Sequence, residues 1–166
     1  MAFHLTKKLK ILLTSGFIVL VALFIGISML VTALTHKAAN SNEPSFNTVL
    51  PANSTIADFG GWQKHTSPNG DIFFSYLDEI DSIPISVSQQ QLPDGFANNL
   101  DAKMSEIAKG YNASKVLDAN GVKVYIGNNA KGPQSVIFSK NSLLITIQSQ
   151  KEIQNASWIS YINSLK

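Results

Sequence analysis

The pattern of hydrophobic and polar positions divides the chain in two. From Ile11 to Leu34 the sequence ILLTSGFIVLVALFIGISMLVTAL runs for 24 residues without a charge, interrupted only by Thr14, Ser15, Ser28 and Thr32. A helix rises about 1.5 Å per residue, so this run predicts a rod of roughly 36 Å, long enough to cross a hydrocarbon core of about 30 Å with some tilt. Beyond it the apolar residues lose their continuity and recur with a period of two or of three to four.

Residues 35–57, which include AANSNEPSFNTVLPANST, are rich in Asn, Ser and Pro and have little periodicity, so they read as a tether. Strand-like patterns then begin. GGWQKHT predicts a short strand around Trp62, and Asn69-Gly70 suits a tight turn into IFFSYL, whose aromatic and branched residues favour extended backbone. In IPISVSQQQL, Ile83, Ile85 and Val87 alternate with polar neighbours. At Phe96, Leu100, Met104, Ile107 and Ala108 the spacing changes to three and four, which predicts a helix ending at Gly110. Two further hairpins follow, one across Asn120-Gly121 and one turning at Lys140-Asn141. In the last strand Leu143, Ile145 and Ile147 face one way, and Leu144, Thr146 and Gln148 the other. A closing helix in KEIQNASWISYINSLK presents Ile153, Trp158, Ile159, Ile162 and Leu165 mainly on one side.

The order is strand-rich, helix, strand-rich, helix. Hairpin connections require antiparallel pairing, so residues 58–166 predict an α+β domain, an antiparallel sheet of about five to seven strands with two helices packed on one face. The predicted plan is a tail at 1–10, a membrane-spanning signal anchor at 11–34, a tether at 35–57 and the domain.

Charge sets the orientation of that plan. Lys7, Lys8 and Lys10 precede the apolar run, and only His36 and Lys37 follow closely. An excess of lysine stays on the cytoplasmic side, which places the N-terminus in the cytoplasm and the domain outside, on a single-pass plasma-membrane protein. The run exceeds the 7–15 apolar residues of a cleaved signal peptide, which favours retention. Another reading takes Gly16-Phe17 as a processing junction of the type IV prepilin kind and the chain as a pilin-like or secretion-associated component. The glutamate expected four residues after that phenylalanine is Val21 here. Ala22 and Gly26 form a small-xxx-small pair able to pack against another helix within the bilayer.

Composition removes several function classes. The chain has no cysteine, so disulfides, thiolate metal sites and cysteine nucleophiles are excluded. Every basic residue is a lysine or histidine, and from residue 38 onward nine lysines face eleven acids, a net of about −2. A weakly acidic domain without arginine lacks the equipment for nucleic acid. Beyond the apolar run His36 and His65 are the only histidines, too few for a histidine metal site, and no GxSxG elbow accompanies His65. No catalytic residue, metal site or cofactor is therefore assigned. Asp71, Asp78, Glu79 and Asp81 could converge on Ca²⁺, although acids in solvated turns have the same look. Trp62, Phe74 and Tyr76 are the candidate aromatic contact surface, for a glycan or a protein.

The hairpin VKVYIGNNAKGPQSVIFSKNSLLITIQS and the final ISYINSLK deliver a strand pair into an amphipathic helix. In this the chain resembles the small extracytoplasmic domains of unknown function in single-pass bacterial membrane proteins, among them domains that accompany anti-sigma-like and lipoprotein-sorting-like proteins. The resemblance implies a cell-envelope location and an antiparallel sheet with helices, and it transfers no functional residue. The expectation is a non-enzymatic, membrane-anchored extracytoplasmic binding or scaffolding module. Its partners are the bilayer, through residues 11–34, and an envelope protein or glycan.

Overall fold

The computed structural model describes residues 42–129 and 132–166. The run 11–34, with the Gly16-Phe17 junction and the Ala22/Gly26 pair, lies outside the described residues. Among the described residues no helix is long and apolar enough to cross a membrane.

Seven strands form one sheet: β1 (Gln63–Thr66), β2 (Ile72–Ile80), β3 (Ile83–Gln91), β4 (Ala113–Ala119), β5 (Val122–Asn129), β6 (Gly132–Lys140) and β7 (Leu143–Ser149). Their spatial order is β1-β2-β3-β7-β6-β5-β4, and every neighbouring pair is antiparallel. Two meanders, β1 to β3 and β4 to β7, thus meet where β3 pairs with β7. Helix α1 (Leu100–Gly110) carries the chain from β3 to the far edge at β4, and α2 (Asn155–Ser164) follows β7. The domain is α+β, as its alternating and helical patterns predict.

Tight turns set the registers. Asp81-Ser82, Asn120-Gly121 and Asn141-Ser142 each place both central residues at positive φ, the type I′ geometry whose twist matches that of antiparallel strands. The β6–β7 turn therefore falls one residue later than the Lys140-Asn141 expected from sequence. Phe96 stands just before a short 3-10 stretch, Ala97–Asn99, and α1 begins only at Leu100.

The two helices lie on opposite faces of the sheet, which corrects the expectation that they share one. Trp158 and Ile162 of α2 pack with Phe138, Ile145 and Ile147. Met104 and Ala108 of α1 pack with Ile137, Leu144 and Tyr125. Neighbours in a strand point to opposite faces, so Ile137 and Phe138, or Leu144 and Ile145, cannot serve the same layer. The apolar runs VIF in β6 and LLI in β7 leave both faces of these strands in need of cover, and one helix supplies it on each side.

The tether is also shorter than its composition suggests. Val49 belongs to the core on the α2 face, with Phe46, Leu50, Ile56 and Phe59 packed around it. Leu50 and Lys166 exchange backbone hydrogen bonds at 3.1 and 2.9 Å, and the Ala52 N–H donates to the Ser164 carbonyl at 2.8 Å. Residues 46–59 are thus part of the folded unit, laid beside α2 over β2 and β3.

Two buried glutamines fasten these outer segments to the sheet. Gln89 of β3 grips the backbone of Val49. Gln134 of β6 accepts from the Ile153 N–H at 2.7 Å and the Trp158 indole at 3.1 Å, and donates to the Ile153 carbonyl at 3.2 Å. A segment lying across a sheet face cannot join its ladder, so a side-chain amide, with one donor and one acceptor group, stands in for a neighbouring strand.

Candidate functional site

On the α2 face the three candidate aromatics come together. Trp62 stands edge-on to Phe74 at 6.4 Å and to Tyr76 at 5.3 Å, with Phe59 against Tyr76 and Phe46 against Phe74. Phe74 and Tyr76 are only 3% and 1% exposed, while Trp62 is half-buried. The docked segment 46–59 is what covers them. Their rings serve packing here, and Trp62 alone offers an edge to solvent.

The acids divide between the ends of β2. Asp71 closes the β1–β2 loop, its backbone N–H donating to Ser67 Oγ at 3.0 Å. Asp78 lies seven residues along the strand, about 23 Å away at the usual rise. Its carboxylate accepts from the Tyr161 hydroxyl at 2.7 Å, and the Tyr161 and Tyr76 hydroxyls meet at 3.4 Å. Burial pushes both phenols well above their ordinary value, so both keep their protons at neutral pH. Asp81 accepts from Ser157 at 2.5 Å. Asp78 and Asp81 therefore hold α2 against the β2–β3 hairpin. Among the described residues no three His, Cys, Asp or Glu side chains converge as a metal site would require.

A groove of about 560 Å³ opens near the first described residues, between Phe46, Lys64, Asp71, Phe74, Gln91 and Asp94. Its lining mixes Lys64, the carboxylates of Asp71 and Asp94, the half-buried Phe46 and the buried Phe74.

The α1 face differs. Register places Ser75, Ser88 and Thr146 in one row across β2, β3 and β7. Ser86, Gln148 and Ser135 form the next row across β3, β7 and β6. All six side chains are uncharged and buried. Among the described residues Ser88 Oγ, Ser135 Oγ and Gln148 Nε2 have no hydrogen-bond partner. α1 lies to one side of these rows, over Tyr125, Ile137 and Leu144. At the other side His65 stacks on Phe73 with ring centroids 4.8 Å apart, and its Nε2 meets Ser75 Oγ at 2.8 Å. Partial burial holds the His65 pKa below the ordinary imidazole value, so the ring is neutral near pH 7. Among the described residues no carboxylate bonds the ring, so the pair lacks the third group that orients a catalytic base.

Sequence reasoning missed the two glutamine clamps and the hydroxyl rows. Their signals were present as SVSQQQ, ITIQSQ and PQS, strands whose polar positions are short and uncharged where a solvated face would carry Lys or Glu. Which polar residue of such a strand faces a docked segment depends on the pairing of distant strands. In comparisons with known proteins, no family model, no curated protein and no solved structure matches this chain.

Proposed function

We propose that the protein is a non-enzymatic binding module of the cell envelope, anchored by residues 11–34 with its N-terminus in the cytoplasm and its sheet domain outside. The observation that carries this reading is the uncharged 24-residue run, with lysines ahead of it and a folded domain closely behind. Only residues 35–45 separate the run from Phe46, which packs in the folded unit. Eleven residues reach at most about 40 Å when fully extended. Such an anchor holds the domain near the membrane surface and suits it to a partner located there.

The native chain has no cysteine, which makes single-cysteine labelling clean. In intact cells a membrane-impermeant maleimide is expected to label Lys109→Cys and to spare Lys8→Cys. Labelling of Lys8→Cys alone would overturn the orientation. A mature chain beginning at Phe17, read by mass spectrometry, would replace the anchor with a pilin-like processed component.

A further inference from the structure

The groove beside Phe46 lies where the chain enters the domain. Glu43 and Phe46 line it at the head of the described chain, with Asp71 of the β1–β2 loop and Asp94 of the β3–α1 loop. Part of its surface is apolar: Phe46 stands edge-on to the buried Phe74 at 5.6 Å, and Ile72 beside them is 46% exposed. Glu43, Asp71 and Asp94 come from three separate segments and share the lining with one lysine, Lys64, a net of about −2. Among the described residues the ion pairs are Lys103–Glu106 and Lys123–Asp101, so none of these three carboxylates has a cation there. At about 560 Å³ the groove is of the size that binding sites occupy.

We infer that this groove seats residues 35–41, the stretch THKAANS that joins the uncharged run to the domain. The course of the chain brings the stretch here, because it ends two residues before Glu43, itself part of the lining. Lys37 is the only lysine between the run and Lys64, and it stands six residues before Glu43. Six residues reach at most about 22 Å, which carries its ammonium to Asp71 and Asp94 on the facing loops. Ala38 and Ala39 are small and apolar, suited to lie over Ile72 and Phe46. A segment already fixed at Glu43 docks without the cost of bringing two molecules together, so a few weak contacts hold it. An anionic lipid head group fits worse, since its phosphate would meet three carboxylates. The seat goes beyond the anchored-module reading. It turns the β1–β2 loop end of the sheet toward the run and leaves the β2–β3 hairpin, at the opposite end of β2, facing away.

Disulfide trapping tests the inference in the full chain, held in lauryldimethylamine oxide micelles with oxidised glutathione as oxidant. The native sequence has no cysteine to interfere. Ala38→Cys with Gln91→Cys, an exposed residue of the groove lining, is expected to close an intramolecular disulfide. It should do so faster than Ala38→Cys with Lys109→Cys, an exposed position near the end of α1. Adding Lys37→Glu reverses the attraction to the carboxylates and should slow the groove pair about fivefold or more. Salt at about 1 M should slow the parent pair toward the same rate. A groove pair no faster than the Lys109 pair overturns the inference and assigns the groove to an occupant from outside the chain. A groove pair whose rate ignores Lys37→Glu overturns it as well. Trapping reads only where the segment lies against the groove, so its failure is distinguishable from a wrong membrane topology, which the maleimide labelling in cells reads alone.

Discussion

Gln89 holds Val49 by both ends of its amide: the Val49 N–H donates to Oε1 at 3.0 Å, and Nε2 donates to the Val49 carbonyl at 2.6 Å. Both residues are fully buried. The contact spans 40 positions of sequence and replaces a strand that the sheet does not have there. Gln89→Leu keeps the volume but orphans both backbone groups, at about 1–3 kcal/mol each. A loss of about 2–4 kcal/mol in urea denaturation is expected, with faster hydrogen exchange at the Val49 amide. An unchanged midpoint would show that segment 46–59 docks by its side chains alone.

Gly127 admits no side chain. A Cβ there would stand 2.2 Å from the Tyr111 carbonyl oxygen and 2.7 Å from the Ala113 nitrogen, both backbone atoms. The chain leaves α1 over this glycine, and the register of β4 against β5 shifts between Ala113 and Lys115. Gly127→Ala must push the start of β4 away. Overpacking of this kind costs about 1–3 kcal/mol or more, and thermal unfolding should report it. Tolerance of the alanine without loss would mean that the α1–β4 junction is free to move.

Ser142 occupies a glycine position. Its φ is 60°, beside Asn141 at 51°, whereas the equivalent turn at Asn120-Gly121 uses the favoured pair. A left-handed conformation costs a residue with a Cβ about 1–2 kcal/mol, part of which glycine gives back as chain entropy. Ser142→Gly is expected to stabilise the domain by about 0.5–1 kcal/mol, seen as a rise of a few degrees in melting temperature. A fall would point to a role for the Ser142 side chain.

His65 makes stability depend on pH in a defined direction. Burial lowers its folded pKa below its ordinary value, so the unfolded chain takes up the proton first as pH falls. Its contribution is fully present above the unfolded value near 6.5. It is lost progressively as pH drops from there to the lower folded value, below which both states are protonated. His65→Gln should flatten the stability profile between about pH 7 and 5. A profile equally steep in the variant would assign that dependence to other groups.

Several elements were legible in sequence because their physics is local. The alternation in IPISVSQQQ and LLITIQS marked β3 and β7, and the three-and-four spacing of Leu100, Met104, Ile107 and Ala108 marked α1. Asn120-Gly121 marked a hairpin because few other residue pairs accept two positive φ values. The opposite placement of the helices was also written in the doubly apolar VIF and LLI. An antiparallel sheet is so often covered on one face only that the pattern by itself predicts both helices on one side. The docking of segment 46–59 has no such local signal: Val49 and Leu50 are too few to form a periodic pattern, and their burial depends on Gln89 and Lys166.

The sequence by itself determined the class of the domain, its hairpins, its two helices and the uncharged run ahead of it, since each of these follows from propensities and periods within a dozen or so residues. Tertiary structure alone decided that β3 and β7 lie side by side. That pairing closes two meanders into one sheet and aligns Ser75, Ser88 and Thr146 across strands up to 71 positions apart in the chain. It also decided that Gln89 and Gln134 face the docked segments while Ser88 and Ser135, one residue away on the same strands, face the other side. In a strand of period two, register against a distant neighbour chooses which face each set of polar residues takes, and no local pattern carries that choice.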